Sequence, residues 1–338
     1  MKANQFPQLL SSYFLKYIPE RTGYSDNTIK SYRDTFILLF RYQEDYLRKA
    51  ASKISFEIIN RKYIGNFLIW LENEKHYSMS SINQRLAAIH AFFKYVQMEN
   101  PEYMSLCLSV LEIKSRKVSV VPMNYLSVEA VKLLLSLPNT SRSEGRRELA
   151  LLSLLYDTGG RVQEIADLEY GDVRFNKPAT VKLTGKGTKS RIVPIMPQTL
   201  YILNEYVNDC KKKLVGIYTN PLFFNKRGEK LTRAGITYIL DKYVKYAKTI
   251  RPDLFPDKVS PHTMRHSKAM HLLEGGVNLI YIRDFLGHTS VITTEVYAKS
   301  NPEIKRKAVE AASPNVMPTE KYSVSQKEEM LKWLKSII

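Results

Sequence analysis

The chain has 338 residues, more than one typical domain and near the length of two. Hydrophobic residues make up 44%, charged residues 25% and aromatics 11%, a composition that excludes a largely disordered chain. Lys and Arg number 51 against 33 Asp and Glu. The balance of +18 either keeps a surface solvated or meets a polyanionic partner, of which nucleic acid is the commonest.

Residues 1–111 read as helices alone and are expected to form a helical bundle. Gln5 to Ile18 is a short amphipathic segment. The cluster Ser25-Asp26-Asn27 is a helix cap opening Thr28 to Tyr46, where Ile29, Tyr32, Phe36 and Leu39 recur at the helical period. Ser55 to Glu74 repeats the pattern with Ile58, Ile59, Ile64, Phe67, Leu68 and Leu71. Ser81 to Met98 does so with Ile82, Leu86, Ile89, Phe93 and Val96. Glu112 to Met123 carries a proline and no helical period, so residues 112–123 are the expected linker. Residues 1–116 hold 16 basic and 11 acidic side chains, net +5, and the remainder is +13. Both halves are positive, as suits a protein that grips a polyanion from two sides.

After the linker, Ser127 caps a helix through Leu137. Arg147 to Leu168 is a strongly apolar helical stretch interrupted at Thr158-Gly159-Gly160. Val181-Lys182-Leu183 and Arg191-Ile192-Val193 flank Gly185-Lys186-Gly187-Thr188, a strand–turn–strand signature and the one clear β element. Helices are expected over Gln198 to Leu214, Thr232 to Lys248, His262 to Glu274, Leu279 to Leu286 and Val291 to Lys299. The fold class is therefore mainly α: an N-terminal helical bundle, then an α+β domain over residues 124–312 with a small antiparallel sheet. Residues 313–338 form a tail, in which Ser325 to Ile338 lines Met330, Trp333, Leu334, Ile337 and Ile338 along one side of a short helix.

Two cysteines, Cys107 and Cys210, build neither a disulfide scaffold nor a four-ligand zinc site. No apolar run approaches the length of a membrane span, and no signal-peptide core follows Met1, so a cytoplasmic protein without a membrane partner is expected.

His262, His266, His271 and His288 cluster late in the chain, with Arg265, Arg283 and Tyr297 among them. Three readings compete. His262 and His266, four apart on a helix, could be a metal pair, but no Glu follows His262 and Arg265 would set a cation beside the metal. The residues could be ordinary surface or core side chains. Or Tyr297 is a nucleophile in phosphoryl transfer. A phenol with a pKa of about 10 needs nearby cations to become a phenolate. A diester in its transition state needs the forked donors of arginine. His262 and Arg265, three apart, share one helix face.

Several stretches carry a resemblance. They are Leu155-Tyr156-Asp157-Thr158-Gly159-Gly160-Arg161-Val162-Gln163-Glu164-Ile165, Thr184-Gly185-Lys186-Gly187-Thr188-Lys189, His262-Thr263-Met264-Arg265-His266, and Leu286-Gly287-His288 with Tyr297. Together, and in this order, they resemble the tyrosine recombinases, or phage integrase family. The helical N-terminal region resembles that family's core-binding domain, so the likeness spans nearly the whole chain.

The resemblance implies a site-specific DNA recombinase that cuts and rejoins strands through a 3′-phosphotyrosine link. By the same resemblance it would serve integration, excision or transposition of a mobile element, or Xer-like resolution of chromosome dimers. Arg161 and Arg265 would hold the scissile phosphate, with His288 completing the contacts. Lys186 would protonate the leaving 5′ oxygen, His262 would carry the proton of the nucleophile, and Tyr297 would attack. His266 matches a histidine with a more structural part. The family usually has Leu where Gly160 stands here. Taken alone, Lys186 reads as a solvated turn lysine, and Arg161 as an ion-pair partner of Glu164. No cofactor is implied, because exchanging one phosphate ester for another conserves bond energy. Partners would be double-stranded DNA with paired inverted sites, and copies of the chain in a tetramer in which the tail helix docks on a neighbour or folds back. Thr28, Lys30, Arg33, Arg85, Lys94 and Arg233 are candidate DNA contacts or simply solvated residues. The short stretch before Gln5 suggests a two-domain member with no arm-binding domain. A topoisomerase-like relaxing enzyme of the same chemistry, or a DNA-binding protein with a decayed site, are the rivals.

Overall fold

The computed structural model describes residues 4–118, 124–185, 189–210, 219–288, 290, 294, 295, 297 and 324–337. The chain divides into two compact units, Met1–Val121 and Pro122–Ile338.

The first unit is helical throughout its described residues, apart from the turns that join its helices. Helix α1 (Phe6–Ser12) runs through a wide turn, Tyr13–Tyr17, into α2 (Ile18–Arg21). Then come α3 (Asp26–Arg41), α4 (Arg61–Asn73), α5 (Met79–Glu99) and α6 (Met104–Leu111). Aromatic packing at the centre explains why these short helices hold together. The ring of Phe92 on α5 meets Phe36 at 5.2 Å, Tyr13 at 5.4 Å and Phe6 at 5.7 Å, each close to edge-on. Such edge contacts add about 0.5–1.5 kcal/mol each to the burial itself.

The expected boundaries shift where local bonds differ from the apolar period. Helix α4 starts at Arg61 rather than Ser55, because the Asn60 side chain accepts the Tyr63 amide at 2.9 Å. Ile54, Phe56 and Ile59 are buried from the preceding turns, not from a helix. Helix α3 opens at Asp26 behind Ser25, ahead of Thr28. The expected linker begins with residues fastened to the helical unit. Arg116 exchanges two backbone bonds with the Asn83 amide, at 2.8 and 2.9 Å, and pairs with Glu72.

The second unit starts with α7 (Val128–Ser136), whose first turn is capped by Ser127 through the Ala130 amide. Helix α8 (Ser143–Asp157) is the buried centre, with Ala150, Leu151, Leu152, Leu154 and Leu155 all fully covered. Burying a leucine contributes about 1.5–3 kcal/mol. Helix α8 ends where Gly159 takes a left-handed φ of +56°, and the chain re-enters a short helix, α9 (Val162–Ala166), at Arg161. The space that a side chain at Gly160 would need is filled by Ile165, whose Cδ1 would lie 2.7 Å from an added Cβ.

Three antiparallel strands follow in the order β1 (Val173–Arg174), β2 (Thr180–Thr184) and β3 (Ser190–Pro194). Val181 pairs with Val193 and Thr184 with Ser190. Strand β1 has no signal in the sequence, because two residues carry no alternation. The helices α10 (Pro197–Asp209), α11 (Arg233–Ile250), α12 (Pro261–Glu274) and α13 (Leu279–Leu286) complete the unit. Of the helix expected over Val291 to Lys299, the described residues are Thr294, Glu295 and Tyr297, all helical. The tail helix α14 (Val324–Lys335) exposes Met330, Leu331, Trp333 and Leu334, and Ile337 beyond its end is exposed as well. No helix among the described residues is long and apolar enough to cross a membrane.

Candidate active site

Helix α12 is the scaffold of the site. Pro261 occupies its first turn and Ser260 caps it reciprocally with Thr263. The cap sets which residues turn inward. Arg265 is buried, and its guanidinium donates to the Gly159 carbonyl at 2.7 Å and the Leu286 carbonyl at 2.6 Å. Burial, then the nearby Arg161 and Arg191, pull its pKa down to about 10, so it is still a cation at neutral pH.

Arg161 sits at the cap position of α9. Its backbone N–H donates to Glu164 Oε2 and its guanidinium to Glu164 Oε1, both at 2.8 Å, and it reaches the Gly287 carbonyl at 3.4 Å. The ion pair that the spacing of three allows therefore exists. Yet the Arg161 side chain keeps 40% of its surface exposed and lines an open pocket with Gly185, Lys189, Arg191 and His288.

Glu164, absent from the expected site residues, is the hub. Its side chain is 2% exposed and takes four donated bonds, two from Arg161 and two from Arg191 on β3. Burial alone would raise its pKa. The bonds from Arg191 and from Arg161 outweigh that and hold it at about 2. The clue in the sequence is the spacing of three from Arg161. Nothing there signals Arg191, which arrives from a strand 27 residues on.

Tyr297 is 1% exposed. Its hydroxyl lies 2.9 Å from His266 Nδ1, and its ring lies parallel to that of His288, with centroids 6.3 Å apart and planes within 3°. His288 Nδ1 in turn lies 3.0 Å from Thr294 Oγ1. Burial raises the pKa of Tyr297, while the charges of Arg265 and Arg161 oppose the rise. Burial, with His262 and Arg265, drives His266 to about 4. Burial, with Arg265, Arg161 and Arg191, does the same to His288. Both rings are neutral at pH 7. His262 stands at the start of α12, its ring 6.2 Å from that of His266, and its pKa is lowered by partial desolvation, then by Arg265 and Arg161. Lys186 lies outside the described residues. No group of three potential metal ligands occurs among the described residues.

The structure thus brings Arg161, Arg265, His266, His288 and Tyr297 to one place, with His262 one helical turn away. The candidate DNA contacts differ in how far they are free. Lys30, Lys94 and Arg233 are exposed, Arg33 pairs with Asp34 at 3.0 Å, and Thr28 bonds Ser25. Arg85 is spent internally, donating to the Ser31 carbonyl at 2.9 Å and stacking over Tyr77.

Residues 107–303 match the phage integrase family, and residues 12–100 match its N-terminal SAM-like domain. A protein of Sinorhizobium fredii named as an integrase/recombinase, y4rC, is 37% identical over 306 residues, 90% of this chain and 91% of its own length. The tyrosine recombinase XerD of Staphylococcus haemolyticus is 34% identical over 84% of this chain and 91% of its own. The chain belongs to the phage integrase family. It is a tyrosine recombinase, an enzyme of DNA strand cleavage and rejoining, and its relatives do not favour a topoisomerase-like relaxing activity. The fold agrees. The Tn1549 transposon integrase, solved in complex with transposon right end DNA, superposes with a TM-score of 0.68 at 18% identity, over 91% of this chain and 99% of that one. The XerH site-specific recombinase, solved on a palindromic difH substrate, gives 0.66 at 22% identity, over 84% and 79%.

Proposed function

We propose that this recombinase binds double-stranded DNA at paired inverted sites and exchanges strands through Tyr297. The observation that carries the reading is the setting of one buried phenol. It is hydrogen-bonded to His266, parallel to His288 and within the field of Arg265 and Arg161. Tyr297 Oη attacks the scissile phosphorus and forms a phosphotyrosine ester at the 3′ end. The bond to the 5′ oxygen breaks, and that oxygen leaves with a proton from Lys186. Rejoining is the reverse, with a 5′ hydroxyl from the partner strand as nucleophile. Arg161, Arg265 and His288 hold the non-bridging oxygens, whose growing charge forked donors stabilise. The resemblance gives the phenol's proton to His262, and the 2.9 Å bond supports a share for His266. Side-chain cations stand where other phosphoryl-transfer enzymes use metal ions, so no cofactor is needed.

The exposed apolar side of α14 supports a tail that docks on a neighbouring copy in a tetramer. Net positive charge in both halves of the chain supports clamping of the duplex, in the cytoplasm. The domain roles follow: residues 1–111 for core DNA binding, 112–123 as linker, 124–312 for catalysis and 313–338 as tail. The test first searches the DNA beside the gene for inverted repeats and then uses a nicked duplex built from them. The parent chain forms a covalent band on a denaturing gel, and Tyr297→Phe forms none. A band that survives Tyr297→Phe overturns the reading.

A further inference from the structure

Three arginines cap the end of helix α13. The last carbonyls of a helix lack partners within it. Here Phe285 accepts from Arg191 Nε at 2.9 Å, Leu286 from Arg265 at 2.6 Å, and Gly287 from Arg161 at 3.4 Å. The next residue is His288. Arg265 and Arg161 are accounted for by the proposed chemistry, but Arg191 is not.

We infer that Arg191 is a positioning residue. It keeps Arg161 available to the phosphate and fixes the turn that presents His288. This rests on the recombinase reading above. Two relations carry it. First, Arg191 grips Glu164 with both terminal nitrogens, at 2.8 and 2.9 Å, with 13% of its side chain exposed. A buried carboxylate must be neutralised. Without Arg191 the whole of that demand falls on Arg161, whose guanidinium now gives Glu164 one bond. With Arg191 present, two guanidiniums face one carboxylate, and the three side chains together keep one positive charge. Second, Arg191 spans from β3 to the His288 turn. An added Cβ at Gly287 would lie 2.9 Å from Arg191 Cδ and 3.0 Å from its Nη1, so the arginine lies flat against a turn that only glycine fits. Gly287 has a φ of +66°. An added Cβ at Gly185, at the start of the hairpin tip, would lie 2.9 Å from Glu164 Oε1. The Arg191–Glu164 pair therefore sets both the hairpin and the histidine turn against Arg161.

The experiment measures covalent-complex formation in a single turnover on the nicked inverted-repeat duplex, with duplex binding and melting temperature measured beside it. A covalent band from the parent establishes the recombinase reading independently. In that setting Arg191→Met slows covalent-complex formation by about a hundredfold, the scale of a misplaced catalytic group, while duplex binding changes less than about twofold. Adding Glu164→Gln, which removes the uncompensated charge, restores at least about tenfold. Arg191→Lys keeps the charge without the fork and is about tenfold slower than the parent. It covers the case in which Arg191→Met does not fold. A parental rate in Arg191→Met or Arg191→Lys, or a double variant no faster than Arg191→Met, overturns the inference.

Discussion

The carboxylate of Asp157, at the end of α8, receives Lys268 Nζ at 3.1 Å from helix α12. Its other oxygen accepts the Met196 amide at 2.9 Å, where the chain leaves β3. One side chain thus joins the helix before Arg161, the helix of Arg265 and the sheet. The pair is well covered, with 5% and 13% exposure, and Lys268 also lies over the rings of Tyr156 and Phe285.

Breaking a buried pair on one side leaves an uncompensated charge, which costs about 3–5 kcal/mol. Lys268→Met is expected to destabilise the catalytic unit on that scale. Lys268→Met with Asp157→Asn should recover more than about 1 kcal/mol of the loss, since the Asn side-chain carbonyl still accepts the Met196 amide. Urea unfolding of Lys268→Met, Asp157→Asn and the double variant checks this, and purely additive losses would refute it.

Gly287→Ala and Gly276→Ala separate backbone strain from site geometry. Both glycines have positive φ, +66° and +81°. Each alanine therefore costs about 1–2 kcal/mol in conformation. An added Cβ at Gly276 meets nothing within 4 Å, whereas at Gly287 it meets Arg191. Both variants should melt lower, but only Gly287→Ala should also cleave slowly. Equal cleavage by the two would show that the turn tolerates the displacement.

His266 and His288 are each held near a pKa of 4, below the roughly 6.5 of an unfolded histidine. In that interval the unfolded chain binds more protons than the folded one. Stability is complete above about pH 6.5 and falls as the pH drops toward 4. Glu164, held at about 2, acts in a separate and more acid window, losing its contribution as the pH falls from about 4.5 toward 2. Melting temperature against pH should therefore decline below about 6.5, and His266→Gln should flatten part of the decline. A parent curve flat from about 6.5 to 5 would contradict the burial of both rings.

Binding to duplex DNA should weaken steeply with salt, given the net charge of +18. The log–log slope changes by about 0.9 for each phosphate that a cationic side chain no longer neutralises. Lys30→Ala, at an exposed position, should lower the slope by about one. Arg85→Ala should leave the slope unchanged and instead lower the melting temperature, because its guanidinium ties α5 to the Ser31 carbonyl on α3. Fluorescence anisotropy across a salt series reads the slopes.

Much of this was legible in the sequence, because helices, caps and family motifs are local. Ser127 caps the helix its neighbours form, as expected. The Gly159-Gly160 break falls where the chain turns toward Arg161. What stayed hidden were partnerships made by folding. Arg191 reads as an ordinary strand residue until β3 carries it to Glu164. His266 reads as scaffolding until Tyr297 comes within 2.9 Å. Helix α4 misleads because Ile58 and Ile59 keep a helical spacing inside a turn that Asn60 ends.

Guanidiniums crowded into one cleft repel, and such a cluster tends to stay loose until an anion arrives. Here the negative end of α13 absorbs that repulsion with three successive peptide oxygens, and Glu164 takes the remainder. A freshly made protein can therefore reach its working shape before it meets any duplex. An incoming phosphate would then meet guanidiniums already aligned, which need no gathering at that moment.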